Sequence, residues 1–257
     1  MAKPYNQIVL FGDSLFQLSS EIKDGFSFQG ALQHLCMRGL DVVNRGFSGY
    51  NTKNCLELLP QIFLPPSPTN PRIEYLLVLL GANDACLSTP TTTQGVPLED
   101  YKRNLIKIIT HEHIKAHNPK VLLVTPPPLD EIQSFLTDIE KGHKEPTRKA
   151  AVTAKYSETV RQVAAELPGV VLVDLQNALM EKAIAMTPDN DPSGPPLGYT
   201  EGKRGALEQL LPDGLHMSGE AYRVLFDIVK PHISLPDDYL VYPDWRIMNP
   251  GNLPSPN

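Results

Sequence analysis

Cysteine is scarce in this chain, tryptophan scarcer, and long apolar runs are missing. The 257 residues hold three cysteines, Cys36, Cys55 and Cys86, and one tryptophan, Trp245. An odd cysteine count without metal-ligand spacing excludes a disulfide framework and a zinc knuckle. The three read as reduced thiols of a cytosolic protein, with a single disulfide left open. No apolar run reaches the roughly 18–20 residues that span a bilayer, so no membrane insertion is expected. The first residues, Met1-Ala2-Lys3-Pro4-Tyr5-Asn6-Gln7, lack the apolar stretch of a signal peptide, and the expected location is cytoplasmic. No long run of one charge occurs. The balance of 23 basic against 29 acidic residues, net −6, argues against nucleic acid or an anionic membrane as partner. Neither a P-loop nor a GxGxxG stretch is present, which removes the usual phosphate cradles.

What is present is a regular alternation. Five short apolar segments, at 8–11, 42–44, 75–80, 121–124 and 170–174, are separated by stretches that fit helices. The run Tyr75-Leu76-Leu77-Val78-Leu79-Leu80 is apolar at every position, the habit of a strand buried on both faces of a parallel sheet. Residues 98–116 and 147–167 have helical spacing. A last helix is expected over 218–233, with Ser218 as N-cap and Glu220 in its first turn. The expected fold is three-layer α/β, a five-stranded parallel sheet of flavodoxin-like type with right-handed crossovers. A main domain over 1–235 is expected, followed by a Pro-rich tail over 236–257. The tail carries Tyr239, Leu240, Tyr242 and Trp245, more large apolar groups than a disordered segment holds. Its first part is therefore expected to pack on the body or on a second subunit. Residues 187–203, rich in Pro, Gly and Asp, form a connection long enough to be functional or mobile.

In an open parallel sheet, ligands bind beyond the carboxyl ends of the strands. Ser14 follows the first strand in Gly12-Asp13-Ser14-Leu15, where its hydroxyl can enter the cleft or Asp13 and Ser14 can simply cap a helix. Asn44-Arg45-Gly46-Phe47-Ser48-Gly49-Tyr50 follows the second, a loop whose glycines let backbone N–H groups approach a ligand. Asn83 follows the third in Gly81-Ala82-Asn83-Asp84, either as a hydrogen-bond donor to an anion or as an Asx turn. Asp213 and His216 stand three residues apart before the last helix. That spacing can press the carboxylate on the imidazole and leave the other ring nitrogen to accept a proton. Each piece alone has a bland alternative. Together they set a serine, a glycine, an asparagine and a histidine at successive strand ends.

Those four blocks resemble the signature blocks of the SGNH, or GDSL, hydrolases. The similarity extends to the isoamyl acetate-hydrolysing esterase branch through Arg45-Gly46-Phe47-Ser48-Gly49-Tyr50, Gly81-Ala82-Asn83-Asp84-Ala85-Cys86, Asp213-Gly214-Leu215-His216-Met217-Ser218-Gly219 and Asp244-Trp245-Arg246. The resemblance implies a serine ester hydrolase of the SGNH fold acting on short, acetate-type esters. Ser14 would be the nucleophile, His216 its base and Asp213 the acid behind it. The Ser14 and Gly49 N–H groups and the Asn83 side chain would stabilise the oxyanion. The branch also suggests a homodimer, with the aromatic-bearing tail within reach of a partner's cleft. Residues 187–203 are longer than expected for that branch and leave the pocket mouth open to question.

Other residues invite other readings. The same machinery could serve a carbohydrate acetylesterase, a thioesterase or a lysophospholipase. A flavodoxin-like binding module would leave the Asp213–His216 pair unexplained. The stretch His111-Glu112-His113-Ile114-Lys115-Ala116-His117 fails the H-E-x-x-H test, since Lys115 stands four after His111. His113 and His117 are expected on a solvated helix face, and no metal or other cofactor is implied. Asp13 and Asp84 read as loop-fixing groups and Cys86 as a structural thiol. The 129–141 segment, with Leu129, Ile132, Phe135 and Leu136 at helical spacing, reads first as core packing and second as a pocket wall.

Overall fold

The computed structural model describes residues 5–235. The chain runs β1 (Asn6–Gly12), α1 (Ser14–Gln17), α2 (Phe28–Leu35), β2 (Leu40–Gly46), α3 (Thr52–Ile62) and β3 (Ile73–Leu79). It continues through α4 (Leu98–Ile109), α5 (Glu112–His117), β4 (Lys120–Val124), α6 (Glu131–Glu140), α7 (Ala150–Glu166) and β5 (Val170–Val173). The last elements are α8 (Leu175–Ala185), α9 (Leu207–Leu210) and α10 (Gly219–Val229). All five strands pair in parallel in the order β2-β1-β3-β4-β5. The expected α/β sheet of five parallel strands is what forms.

Both faces of the sheet are covered. Ile8, Leu10, Leu77 and Leu122 point to one side, against α2, α8 and α10. Val9, Phe11, Leu76, Val78 and Leu123 point to the other, against α3, α4 and α7. This explains the unbroken apolar runs: each residue of β3 from Leu76 to Leu79 is 0% exposed. Burying one such side chain contributes roughly 1.5–3 kcal/mol, so the two sides together supply most of the driving force. Strand order reverses at β1, whose neighbours lead away to opposite edges. The crevice at the carboxyl ends of β1 and β3 is the place such a sheet offers a ligand.

Several sequence expectations need correction. The helix expected over 98–116 is two helices, because the Thr110 hydroxyl bonds back to Ile106 O and His111 starts α5 by capping His113 N. His113 and His117 do not lie on a solvated face. His117 is 2% exposed; its Nδ1 accepts from Ile73 N–H at 3.1 Å and its Nε2 donates to Leu64 O at 2.8 Å. His113 Nδ1 meets Phe63 O at 2.6 Å. These rings fasten α5 to the segment before β3, and both His117 nitrogens are spent. The helix expected from 147 starts at Ala150, since Thr147 and Arg148 are drawn into other bonds. The final helix ends at Val229, and a 3-10 turn (Lys230–His232) follows, because Pro231 has no N–H to continue it. Ser218 is its N-cap as expected, accepting from Ala221 N.

Residues 187–203 form a packed loop. Leu197 is buried, Lys203 pairs with Asp189, and Gly198 O accepts from Glu131 N. Among the described residues no helix is long and apolar enough to cross a membrane. The expected packing of the 236–257 tail, and its dimer role, lie outside the described residues.

Candidate active site

Ser14 is the first residue of α1, directly after β1. The Asp13 carboxylate caps that helix by accepting from Leu15 N at 2.9 Å. Capping fixes the turn, and the Ser14 hydroxyl emerges at the carboxyl end of the sheet. There it meets His216 Nε2 at 2.9 Å. His216 Nδ1 lies 2.6 Å from Asp213 Oδ2, while Asp213 Oδ1 accepts from the His216 and Leu215 backbone N–H groups at 2.7 and 3.0 Å. Burial alone would raise the Asp213 carboxyl. The hydrogen bonds from the imidazole and from both backbone amides, with the imidazole charge, outweigh burial and hold it well below the usual carboxylate range. Asp213 is therefore ionised at neutral pH, and its carboxylate fixes which His216 nitrogen faces Ser14.

The loop carrying this pair is braced by α6. Thr137 Oγ1 donates to Asp213 O at 3.1 Å, and Asp130 N donates to Gly214 O at 3.0 Å. Gly214 has φ +87°, and a Cβ there would sit 2.4 Å from Ser134 N, so only glycine allows the close approach. Asp130 is fully buried and pairs with Arg204 Nε at 2.6 Å. Residues 187–203, whose role the sequence left open, do not line the cavity at Ser14 and lead into the Arg204 brace behind α6. The 129–141 segment is corrected too. Its cavity-facing residues are Asp138 and Lys141, while of Leu129, Ile132, Phe135 and Leu136 the last two are exposed and only Leu129 is buried. Ser134 and Asp138 take the inward face because Asp138 is satisfied by the Thr147 N–H and hydroxyl, at 2.7 and 3.0 Å.

Ser14, Gly49 and Asn83 line the same cavity. Ser14, as the first helical residue, has no intrahelical acceptor for its N–H. Gly49 has φ +81° within a turn closed by Tyr50 N donating to Phe47 O, and Gln94 Nε2 holds its carbonyl at 2.8 Å. Asn83, 4% exposed, donates from Nδ2 to Tyr50 O at 2.9 Å, and its second amide hydrogen has no acceptor among the described residues. The next residue, Asp84, anchors α3 by accepting from Thr52 N and Oγ1; burial pushes its carboxyl up to about 6 despite those bonds. Asp13 is pushed up to about 7, chiefly by burial, and its Oδ2 has no partner among the described residues. Both aspartates fix loops, as expected. Cys86 is buried, and burial raises its thiol.

A cavity of about 350 Å³ opens over Ser14, Gly49, Asn83 and His216. Among the described residues its aliphatic lining is Leu18 and Leu215; Thr92, Gln94, Lys141, His143 and Arg148 give it a polar far wall. A larger cleft of about 560 Å³ lies at the opposite end of β4 and β5, among Ile109, Pro119 and Leu167, away from this chemistry. Sequence reasoning missed the supporting residues Gln94, Thr137 and Arg148. No motif marks them, because each acts on a backbone or amide group that only the fold brings near.

The sequence model of the GDSL-like Lipase/Acylhydrolase family matches residues 10–224. A GDSL esterase/lipase of Arabidopsis thaliana is 36% identical over 87% of this chain and 84% of its own. The isoamyl acetate-hydrolyzing esterase of Saccharomyces cerevisiae is 28% identical over 87% of this chain and 84% of its own. Among solved structures, a lipase/acylhydrolase from Enterococcus faecalis superposes with a TM-score of 0.59 at 20% identity, covering 90% of this chain and 99% of that one.

Proposed function

The chain belongs to the GDSL-like lipase/acylhydrolase family and is a serine ester hydrolase, and we propose that it cleaves small, short-chain esters through Ser14, His216 and Asp213. The observation that carries this reading is the continuous pair of contacts, Ser14 Oγ to His216 Nε2 at 2.9 Å and His216 Nδ1 to Asp213 Oδ2 at 2.6 Å.

In this reading His216 takes the Ser14 proton as the oxygen attacks the ester carbonyl, and Asp213 stabilises the imidazolium that results. The tetrahedral oxyanion accepts from the Ser14 and Gly49 N–H groups and from Asn83 Nδ2. His216 then returns the proton to the departing alcohol. Water, deprotonated by the same imidazole, releases the acid from the acyl-enzyme. Donors fixed before the reaction need no reorganisation as charge develops, which is why loop anchors such as Asp84 and Gln94 matter to rate.

The modest cavity supports an acetate-type acyl group. Its polar far wall of Thr92, Gln94, Lys141 and His143 favours a second reading of the alcohol side, an ester of a hydroxyl-rich alcohol such as an acetylated sugar. The deciding experiment is hydrolysis of p-nitrophenyl acetate, butyrate and octanoate, and of a peracetylated sugar, by wild type and Ser14→Ala. Mass spectrometry after organophosphate treatment accompanies it. Turnover lost in Ser14→Ala, with the adduct on Ser14, is expected. Octanoate outpacing acetate would refute the short-chain assignment, and an adduct elsewhere would refute the nucleophile.

A further inference from the structure

An amide side chain at an oxyanion site has two orientations, and only one is useful. With Nδ2 toward the reacting carbonyl it donates to the developing charge; turned by 180° it presents Oδ1, which repels that charge. The two ends have nearly the same shape, so packing cannot choose between them. Hydrogen bonds must.

Around Asn83, two groups make the choice. Tyr50 O accepts from Nδ2, and Arg148 Nη2 donates to Oδ1 at 3.0 Å. The guanidinium has donors only, so it tolerates the oxygen end of the amide and rejects the nitrogen end. Arg148 Nε also donates to Ala82 O at 3.0 Å, which holds the backbone one residue before Asn83. The same fork thus grips both the peptide and the side chain of one turn.

Arg148 is itself fixed from behind. Its Nη1 donates to Thr147 Oγ1 at 3.3 Å, and Thr147 is tied to the buried Asp138 of α6 by its N–H and hydroxyl. Leu87 N donates to Thr147 O at 2.8 Å, joining this segment to the chain just beyond Asn83. The run Asp138, Thr147, Arg148, Asn83 therefore connects the helix that braces Asp213 to the carboxamide on the far side of the cavity. A cation on the amide oxygen also draws electron density toward Oδ1 and makes the Nδ2 hydrogens better donors.

We propose that Arg148 is a positioning residue for ester hydrolysis, orienting and polarising the Asn83 carboxamide so that Nδ2 faces the oxyanion. This rests on the reading of Asn83 as an oxyanion donor given above. Arg148 touches the reacting atoms only through Asn83, so its effect depends on Asn83 being there.

That dependence supplies the test. Steady-state hydrolysis of p-nitrophenyl acetate is measured for wild type, Asn83→Ala, Arg148→Gln, Arg148→Lys and the double variant Asn83→Ala/Arg148→Gln. Each rate is divided by the concentration of competent sites from organophosphate titration, so a partly folded variant is still readable. Removing an oxyanion donor lowers turnover by about 10²–10³-fold, which is the expected loss for Asn83→Ala. Arg148→Gln is expected to lower kcat by about 10-fold or more with KM little changed, because the ground-state carbonyl makes weaker use of the donor. Arg148→Lys keeps charge but not the fork and is expected to recover part of the loss. In the double variant the second substitution is expected to change kcat by less than about threefold, since coupled residues are non-additive. A normal kcat in Arg148→Gln, or losses that multiply in full in the double variant, overturns the role of Arg148 while leaving Asn83 as donor. Full activity in Asn83→Ala overturns the oxyanion assignment itself, and the role of Arg148 with it.

Discussion

The Thr137 hydroxyl of α6 donates to the carbonyl oxygen of Asp213 across 76 positions of sequence. One helix therefore holds the turn that carries Asp213 and His216, and through Asp138 and Thr147 it also supports the opposite side of the cavity. Thr137→Val keeps the shape and removes the bond. The stability loss should be small, about 1 kcal/mol. Turnover should fall several-fold without a change in KM, as the Asp213 turn loses its fixed height. Chemical denaturation and steady-state kinetics on one preparation check both. A kcat equal to wild type would mean the turn is set by its own backbone bonds.

Ser14→Ala and His216→Ala should each remove nearly all turnover. The double variant should be little worse than either if Ser14 and His216 act as one unit, as proposed. Multiplying losses, measured under single-turnover conditions, would show that the serine is activated by some other group.

Asp13 and Asp84 bind protons more tightly in the fold than their ordinary value of 3.8, burial lifting them to about 7 and about 6. Between those values and 3.8 the folded chain holds more protons than the unfolded one. Their contribution therefore declines as pH rises through that window. Asp213 behaves oppositely: its depressed carboxyl contributes above its ordinary value and that contribution is lost in acid. Asp13→Asn keeps the cap to Leu15 N but cannot ionise. Its Tm should fall less than that of wild type between about pH 4.5 and 7.5. Parallel melting curves across that range would contradict the assignment.

Arg204→Met leaves the Asp130 carboxylate buried without its cation. Breaking a buried pair on one side destabilises by roughly 3–5 kcal/mol. Urea unfolding should show this, and the Asp130→Asn/Arg204→Met pair should recover much of it. A loss near zero in the single variant would show that water reaches Asp130.

Much of this was legible in the sequence for a physical reason. Strands buried on both faces, such as Leu76 to Leu79, cannot alternate polar and apolar, so their runs stand out. Ligand-binding residues in such a sheet cluster at strand ends, so Ser14, Gly49 and Asn83 were singled out by position as much as by type. What stayed hidden depends on contacts between distant segments. The break at Thr110 follows from fastening His117 beneath Ile73, 44 positions away, and no local propensity reports that. Arg148 looked like the first turn of a helix because its partners Ala82 and Asn83 lie 66 and 65 positions earlier.

Ser14 and His216 are 202 positions apart, and the Tyr222 hydroxyl of α10 closes the same gap by donating to Leu15 O at 2.7 Å. During synthesis Ser14 leaves the ribosome 202 residues before His216. If the two act together as proposed, the Ser14 hydroxyl stays inert until the segment carrying His216 docks along with α10. A fragment ending before His216 should then ignore an organophosphate, which makes labelling of Ser14 a reporter of that docking.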